Sequence, residues 1–570
     1  MSYFLRIKNK PKGKYLAIYD SSYDSIKKHN VSKIYKSLGY ESTLITTEIT
    51  DPISYYKNLC LDLNKKRRDE KTSNRLLISN ISPLKNVGYF LAESYFDKIN
   101  ISLEFNVLSK LTFNHKADYY KIFKHLVLAR IFNPQSKSKT YFDVLPSMYG
   151  FDIDYSKDDL DNCLEFIGCY YNEIISAIKH RMSSFYQFDT SCTLFDCTNF
   201  YFEIDKEFED KKKGPSKENF KGPIIGMALL LDKKAMPLSM KMYPGNQSEK
   251  PELRKIIDTM KLENQIEGRS IQIADKGLNC ARNIYHCLKN NDGYIFSKSV
   301  LASSALEKQW FDNENNTYYE IKDGNNNLKY RYKYCVDEFE YKFEEDNIKH
   351  SFKVKEKRIL TFNPSLREKK LFELQKIEAK LKDLLACNAK KEMFKNYSTY
   401  VNALAFNKDG ELINAKIEFA IKQDKLDEEK KYAGYNLLVT SEINNNCEEI
   451  YDAYHQLWKI EQSFRIMKSY LDGRPVYVRK KERIYGHFLI VYYSTILLRC
   501  IEYLGLENKF SIDSIVDFIR NFNVVELDNN TYFNVLKYDK DSLELIEKID
   551  KKILYKYPTS KELDSLKKWR

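Results

Sequence analysis

The sequence predicts an α/β protein: a core of alternating strands and helices, interrupted by a β-rich insertion and preceded by a mixed, helix-rich region. Two observations carry this prediction. From Thr193 onward the apolar residues alternate in aromatic-rich runs separated by turn residues, the pattern of strands. Before and between those runs they recur at helical spacing, in segments too long to be strands.

The N-terminal part is the most mixed. KYLAIYDSSYD reads as a strand, HNVSKIYKSLGY as a helix start, and ISYYKNLCLDLNKKRRDEK beyond Asp51 as a charged helix. RLLISNIS follows as an apolar strand. A helix through Leu126–Ile131 is halted by Asn133 and Pro134, since proline disfavours helical backbone in the residue before it. DDLDNCLEFIGCYYNEIISAIKHRM supplies two more helices, up to about residue 185. The Lys/Arg-rich surfaces of this region suit either DNA contact or a plain helical scaffold, and no helix-turn-helix is evident.

TLFDCTNFYFEI then reads as a strand with Asp196 at its middle. A charged loop, KEFEDKKKGPSKENFKG, precedes the strands PIIGMALLL and PLSMKMYPGN. A helix (ELRKIIDTMKLEN), a strand ending at Asp275 (SIQIADKG), a helix (NCARNIYHCLKNN) and a strand (GYIFSKSV) complete the series. Three meandering strands, then helix, strand, helix and strand, is the order of a ribonuclease-H-like core. Residues 301–432 are strand-rich apart from one long amphipathic helix, and KYAGYNLLVTSE returns to the core. An independently folded accessory domain is the alternative for this block. The expected divisions are 1–185, 186–300, 301–432, 433–505 and a helical tail, 506–570.

A carboxylate within an apolar strand is costly unless it is paired or binds a cation. Asp196 in LFDCT and Asp275 in IADKG both stand in that position, although Asp-Lys-Gly is also ordinary turn chemistry. A third acid, Glu461, lies on the predicted helix Tyr454–Lys468. At 100° per residue, Leu457, Ile460, Phe464, Met467 and Leu471 form one apolar stripe. Tyr454, Trp458, Glu461, Arg465 and Lys468 form a second line beside it. A solvated row of ion pairs explains that line as well as a functional face does. Arg474, Arg479, Lys480, Lys481 and Arg483 follow closely, suited to phosphate contacts or to an ordinary charged surface.

The 570 residues carry a formal charge of +13, a moderate bias compatible with nucleic acid but not specific to it. Eleven scattered cysteines without a CxxC or a His at zinc-ligand spacing point to free thiols in a reducing cytosol. FLIVYYSTILLRCIEYL is too short for a membrane span and reads as a buried helix.

The Trp-Lys-Ile-Glu core, FRxxK and the following RPVY resemble bacterial insertion-sequence transposases. The resemblance is to the DDE branch that carries a β-rich insertion before its third acid. That branch has the signature Tyr-x2-Arg-x3-Glu-x6-Lys, which maps onto Tyr454, Leu457, Glu461 and Lys468, with Leu457 in place of the arginine. The resemblance covers residues 185–495 and extends loosely to the N-terminal region. It implies a cytoplasmic, DNA-associated transposase with Asp196, Asp275 and Glu461 as catalytic metal ligands. Two Mg2+ ions are the expected cofactor, with Mn2+ able to substitute, because hard, oxygen-seeking cations suit carboxylates. Tyr454, Arg465 and Lys468 would bind DNA phosphate. The partners implied are double-stranded DNA, both the inverted element ends and the target, and a second copy in a homodimer, with no membrane. An N-terminal end-binding domain is implied as well. Some members form hairpins and hold a flipped base on an aromatic of the insertion, where Trp310 is the only Trp here. A nuclease of the same fold without strand transfer, or a DNA-binding protein with a decayed site, remains open on these residues.

Overall fold

The structure, a computed structural model, describes residues 2–24, 29–73, 84–112, 117–204, 206–217, 221–263, 266–313, 317–387, 391–405, 417–528 and 530–569. The chain divides into two compact units, Met1–Ser82 and Pro83–Arg570. The first is a three-stranded antiparallel sheet of Ser2–Lys10, Gly13–Asp24 and His29–Tyr40, followed by the helix Pro52–Ser73. His29–Tyr40, expected to start a helix, is therefore a strand. Its β-branched and aromatic residues favour extended backbone once Gly13–Asp24 offers a partner, as in the Lys33–Asp20 pair. RLLISNIS lies outside the described residues.

The second unit is built on a nine-stranded sheet. Its strands are β1 (Cys192–Tyr201), β2 (Ile224–Asp232), β3 (Pro237–Pro244), β4 (Ile271–Ala274), β5 (Gly293–Lys298), β6 (Tyr319–Lys322), β7 (Leu328–Glu345), β8 (Ile348–Phe362) and β9 (Tyr435–Thr440). Across the sheet they run β6-β7-β8-β9-β5-β4-β1-β2-β3. β1, β4 and β5 are mutually parallel, whereas β2 and β3 meander antiparallel from β1. The core elements thus follow the order expected from the sequence.

The strand-rich block at 301–432 is continuous with this sheet. β6, β7 and β8 extend the same sheet through β9, because Ile359 and Leu360 at the end of β8 are fully buried against it. Among the described residues of this block, only Val401–Ala405 and Ile417–Ile421 pair separately from it, beyond the long helix Pro364–Ala386.

Two cores cover the two faces of the sheet. Along β1, Leu194 faces one and Phe195 the other; along β4, Ile273 and Ala274 divide the same way. The helices Lys250–Leu262 and Ala281–Lys289 cover the Phe195 face. The Leu194 face is covered by a helical layer centred on Lys481–Cys500, buried along most of its length. Lys157–Cys169 crosses that helix at close range. A Cβ on Gly168 would strike the Glu482 carbonyl, and one on Gly486 the Leu164 carbonyl, so backbone meets backbone there.

The helices before residue 185 pack into the same core as Lys481–Cys500. The tail is joined in as well, since Asn523–Asp528 and Thr531–Asn534 form a three-stranded sheet with Leu84–Asn86. Among the described residues one helix, Lys481–Gly505, is long and apolar enough to cross a membrane, and 94% of its apolar window is buried inside the protein.

Candidate active site

Asp196 is the fifth residue of β1, and its neighbour Phe195 lies level with Ala274 of parallel β4. Asp196 follows Phe195 on β1 and Asp275 follows Ala274 at the end of β4, and the two are close enough for Asp275 to raise Asp196. Asp275 closes β4 in a turn, with its carbonyl accepting from the Leu278 N–H at 2.9 Å. Its Oδ1 accepts from Ser297 Oγ of β5 and from Tyr454 Oη, each at 3.1 Å.

Glu461 arrives from the helical layer. The sequence predicts one helix over Tyr454–Lys468, but the structure breaks it into Cys447–His455 and Trp458–Arg465, followed by a π-helical turn, Ile466–Tyr470. The apolar stripe is nevertheless buried as expected, at Leu457, Ile460, Phe464, Met467 and Leu471. The middle piece rests on β1. It is also tied to a fully buried Arg499, which donates to Ser463 Oγ at 2.9 Å, Gln462 Oε1 at 3.0 Å and the Lys459 carbonyl at 3.2 Å. Arg499 is itself paired with Glu502 at 2.6 Å.

Asp196 and Glu461 both respond to their carboxylate neighbours. Burial lifts Glu461 above its usual range, and Asp196 and Asp275 add to the lift. Burial raises Asp196 too, with Asp275 contributing, although Lys217 and the Cys197 N–H pull the other way. Asp196 Oδ1 accepts from that N–H at 2.7 Å.

Two further residues belong here that sequence reading passed over. Lys217 Nζ lies 3.4 Å from Asp196 Oδ1 and 3.4 Å from Glu249 Oε1, so one ammonium spans both carboxylates. Burial opposes its charge, but Asp196 and Glu249 more than compensate and hold it above the ordinary lysine range. Asn199 of β1 anchors its loop, accepting from the Lys217 N–H at 3.3 Å and donating to the Pro215 carbonyl at 3.2 Å. Glu249 immediately precedes the helix Lys250–Leu262 and is raised by burial and by Asp196 and Asp275. The only sequence signal for it was an acid just ahead of a proline-bearing helix start.

The second line of the signature separates. Lys468 turns toward β1, its Nζ 5.5 Å from the Phe200 ring centroid, and burial beside Lys217 lowers it to about 8. Arg465 turns away, within 3.9 Å of Asp513 and 5.8 Å of the Tyr470 ring. The break at residues 456–457 and the π turn rotate these positions relative to one straight helix. Of the basic run, Lys480 and Arg483 pair with Glu165, each at 3.1 Å, and Lys481 with Asp210 at 3.0 Å. Trp310 stands on the helix Ala305–Asp312, with Lys333 Nζ 5.4 Å from its ring.

Among the described residues, no group of three or more His, Cys, Asp or Glu side chains is drawn together as a ready cage for an ion. Carboxylate oxygens are the donors a hard divalent cation takes: Asp275 raises Asp196, both raise Glu461, and the Lys217 ammonium spans Asp196 and Glu249.

No protein-family model matches the chain, and no curated protein matches it. Among solved structures it is similar to a piggyBac transposase synaptic complex with hairpin DNA, determined by cryo-EM. The identity is 11%, over 76% of this chain and 78% of that one, with a TM-score of 0.35. A likeness at that score carries no weight for shared chemistry.

Proposed function

We propose that the chain is a DDE transposase that cuts and joins DNA at the ends of its own insertion sequence. The observation that carries this reading is that Asp196 and Asp275, each one residue beyond the paired Phe195 and Ala274 of adjacent parallel strands, both act on Glu461 and raise it. The strand order β3-β2-β1-β4-β5 supports a ribonuclease-H-like core, with the insertion between its second and third acids.

Asp196, Asp275 and Glu461 would hold Mg2+ in this reading, with Glu249 as a further oxygen donor. A bound metal there supplies a lowered water pKa and neutralises charge on a phosphate under attack. The chain's own groups do the rest. Ser297 and Tyr454 fix one oxygen of Asp275, so that its other oxygen stays directed and available. Lys217 shares the negative charge of Asp196 and Glu249. Lys468, next to Phe200, offers a cation to DNA backbone phosphate. Double-stranded DNA is the substrate, and a homodimer would bring two ends together.

The test is Glu461→Gln, assayed for Mg2+-dependent nicking at an element end beside DNA binding at the same salt. The expected result is near-parental binding with nicking reduced by about three orders of magnitude or more. Parental nicking would remove Glu461 from the site and sink the reading. A joined product from the parent separates a transposase from a nuclease of the same fold.

A further inference from the structure

A cavity of about 360 Å³ lies beneath the tail of the signature segment, and none of the four carboxylates described above lines it. Six cations line it against two carboxylates, Asp161 and Asp472. Asp161 is already engaged, by Lys157 at 2.6 Å and Arg483 at 3.6 Å, and Lys480 is paired with Glu165. Among the described residues the deep cations, Arg130 and Lys137, form no ion pair, although Asp472 favours the charge of Arg130 and Asp161 that of Lys137. Arg130 is 5% exposed and donates only to backbone carbonyls, of Gln135 at 3.1 Å and Leu471 at 3.4 Å. Lys137 is 8% exposed, and its ammonium makes no hydrogen bond or ion pair with any described residue.

A buried ammonium without a partner, beside a buried guanidinium, is costly by itself. Burial and the neighbouring Arg130 hold Lys137 well below the ordinary lysine range. Burial, Lys137 and Arg130 do the same to His487 on the opposite wall, whose Nε2 lies 3.2 Å from the Gly473 carbonyl. An anion in the cavity would satisfy all of these groups together. Arg479 at the same cavity adds a second guanidinium, and forked guanidiniums with an ammonium match the several oxygens of a tetrahedral dianion.

We propose that this cavity is a binding site for a phosphate group, held by Arg130, Lys137 and Arg479. Inorganic phosphate and a phosphate of a DNA strand share this chemistry, and the site stands whether or not the carboxylate cluster cuts DNA. The test is thermal unfolding of the full chain in sodium phosphate against sodium chloride at equal ionic strength. A parallel series uses one oligonucleotide with and without a 5′-phosphate. Parent and Lys137→Met are compared.

The parent should gain stability saturably with phosphate, and Lys137→Met should bind it at least about tenfold more weakly while being the more stable protein in chloride. A gain with inorganic phosphate alone assigns a free-anion site, and a gain only with the oligonucleotide, lost in Lys137→Met, assigns a DNA phosphate. Glu461→Gln should respond as the parent does, which keeps this test separate from the catalytic one. No gain with either probe, or an equal gain in parent and variant, overturns the proposal. Should Lys137→Met fail to fold, Arg479→Gln takes its place and must show the same weakened response.

Discussion

Tyr454 Oη donates to the same Asp275 oxygen that accepts from Ser297 Oγ, both at 3.1 Å, so one carboxylate oxygen is held from a helix and from a strand. The signature tyrosine is therefore spoken for within the protein. Its first role in this arrangement is to orient a carboxylate.

Tyr454→Phe removes that donor and little else. The Mg2+ concentration for half-maximal cleavage should rise about 10–100-fold, as for other residues that orient a metal ligand. DNA-end affinity and its salt dependence should stay at parental values. Weaker end binding with an unchanged Mg2+ requirement would return Tyr454 to phosphate contact.

Glu461 offers a check that needs no DNA. Its folded-state pKa is raised, so the native protein holds this proton more tightly than the unfolded chain does. The charged form therefore costs stability above the ordinary glutamate value of about 4.3 and nothing well below it. In metal-free buffer, parent and Glu461→Gln should unfold at matching temperatures, apart from a constant offset, below about pH 4. The parent should then fall progressively behind the variant as pH rises, and Mg2+ should narrow the difference. A difference that stays constant from pH 4 to 8 would show that Glu461 does not share the field of Asp196 and Asp275.

Lys468, lowered to about 8, loses its charge as pH rises through that value. Parental affinity for DNA ends should weaken between pH 7 and 9, and Lys468→Ala should lack this component. At pH 7 the variant should bind more weakly and show a salt slope shallower by about one. Salt slopes that coincide would leave Lys468 without a phosphate.

Asp196, Asp275 and Glu461 each carry a local mark in the sequence: a charge flanked by apolar strand residues, or an acid beside an apolar helical stripe. Lys217 carries none, and Glu249 only an acid just ahead of a proline-bearing helix start. Lys217 sits in a charged loop whose path is set by Asn199, and no periodicity announces which of its lysines turns inward. The break at residues 456–457 was hidden because Leu457 remains buried on either description, so the apolar stripe reads the same. Long-range pairing was the other blind spot. His29–Tyr40 has ambiguous local preference and becomes a strand through Gly13–Asp24, and β8 joins the core sheet only through β9.

Arg499 tests whether placement of the Glu461 segment matters separately from stability. It is fully buried, and it bonds Lys459, Gln462 and Ser463, which flank Glu461 in sequence. Arg499→Met should destabilise the protein by about 3–5 kcal/mol, chiefly because Glu502 is left buried without its partner. Adding Glu502→Gln removes that charge and should restore much of the loss in thermal unfolding. Cleavage should not recover with it, because the three bonds to the Glu461 segment are still missing and small displacements of a reacting group are expensive. The measurement is Mg2+-dependent nicking by the double variant at a temperature where it is fully folded. Nicking restored along with stability would mean that Arg499 only balances Glu502, and that packing of Ile460 and Phe464 alone sets the position of Glu461.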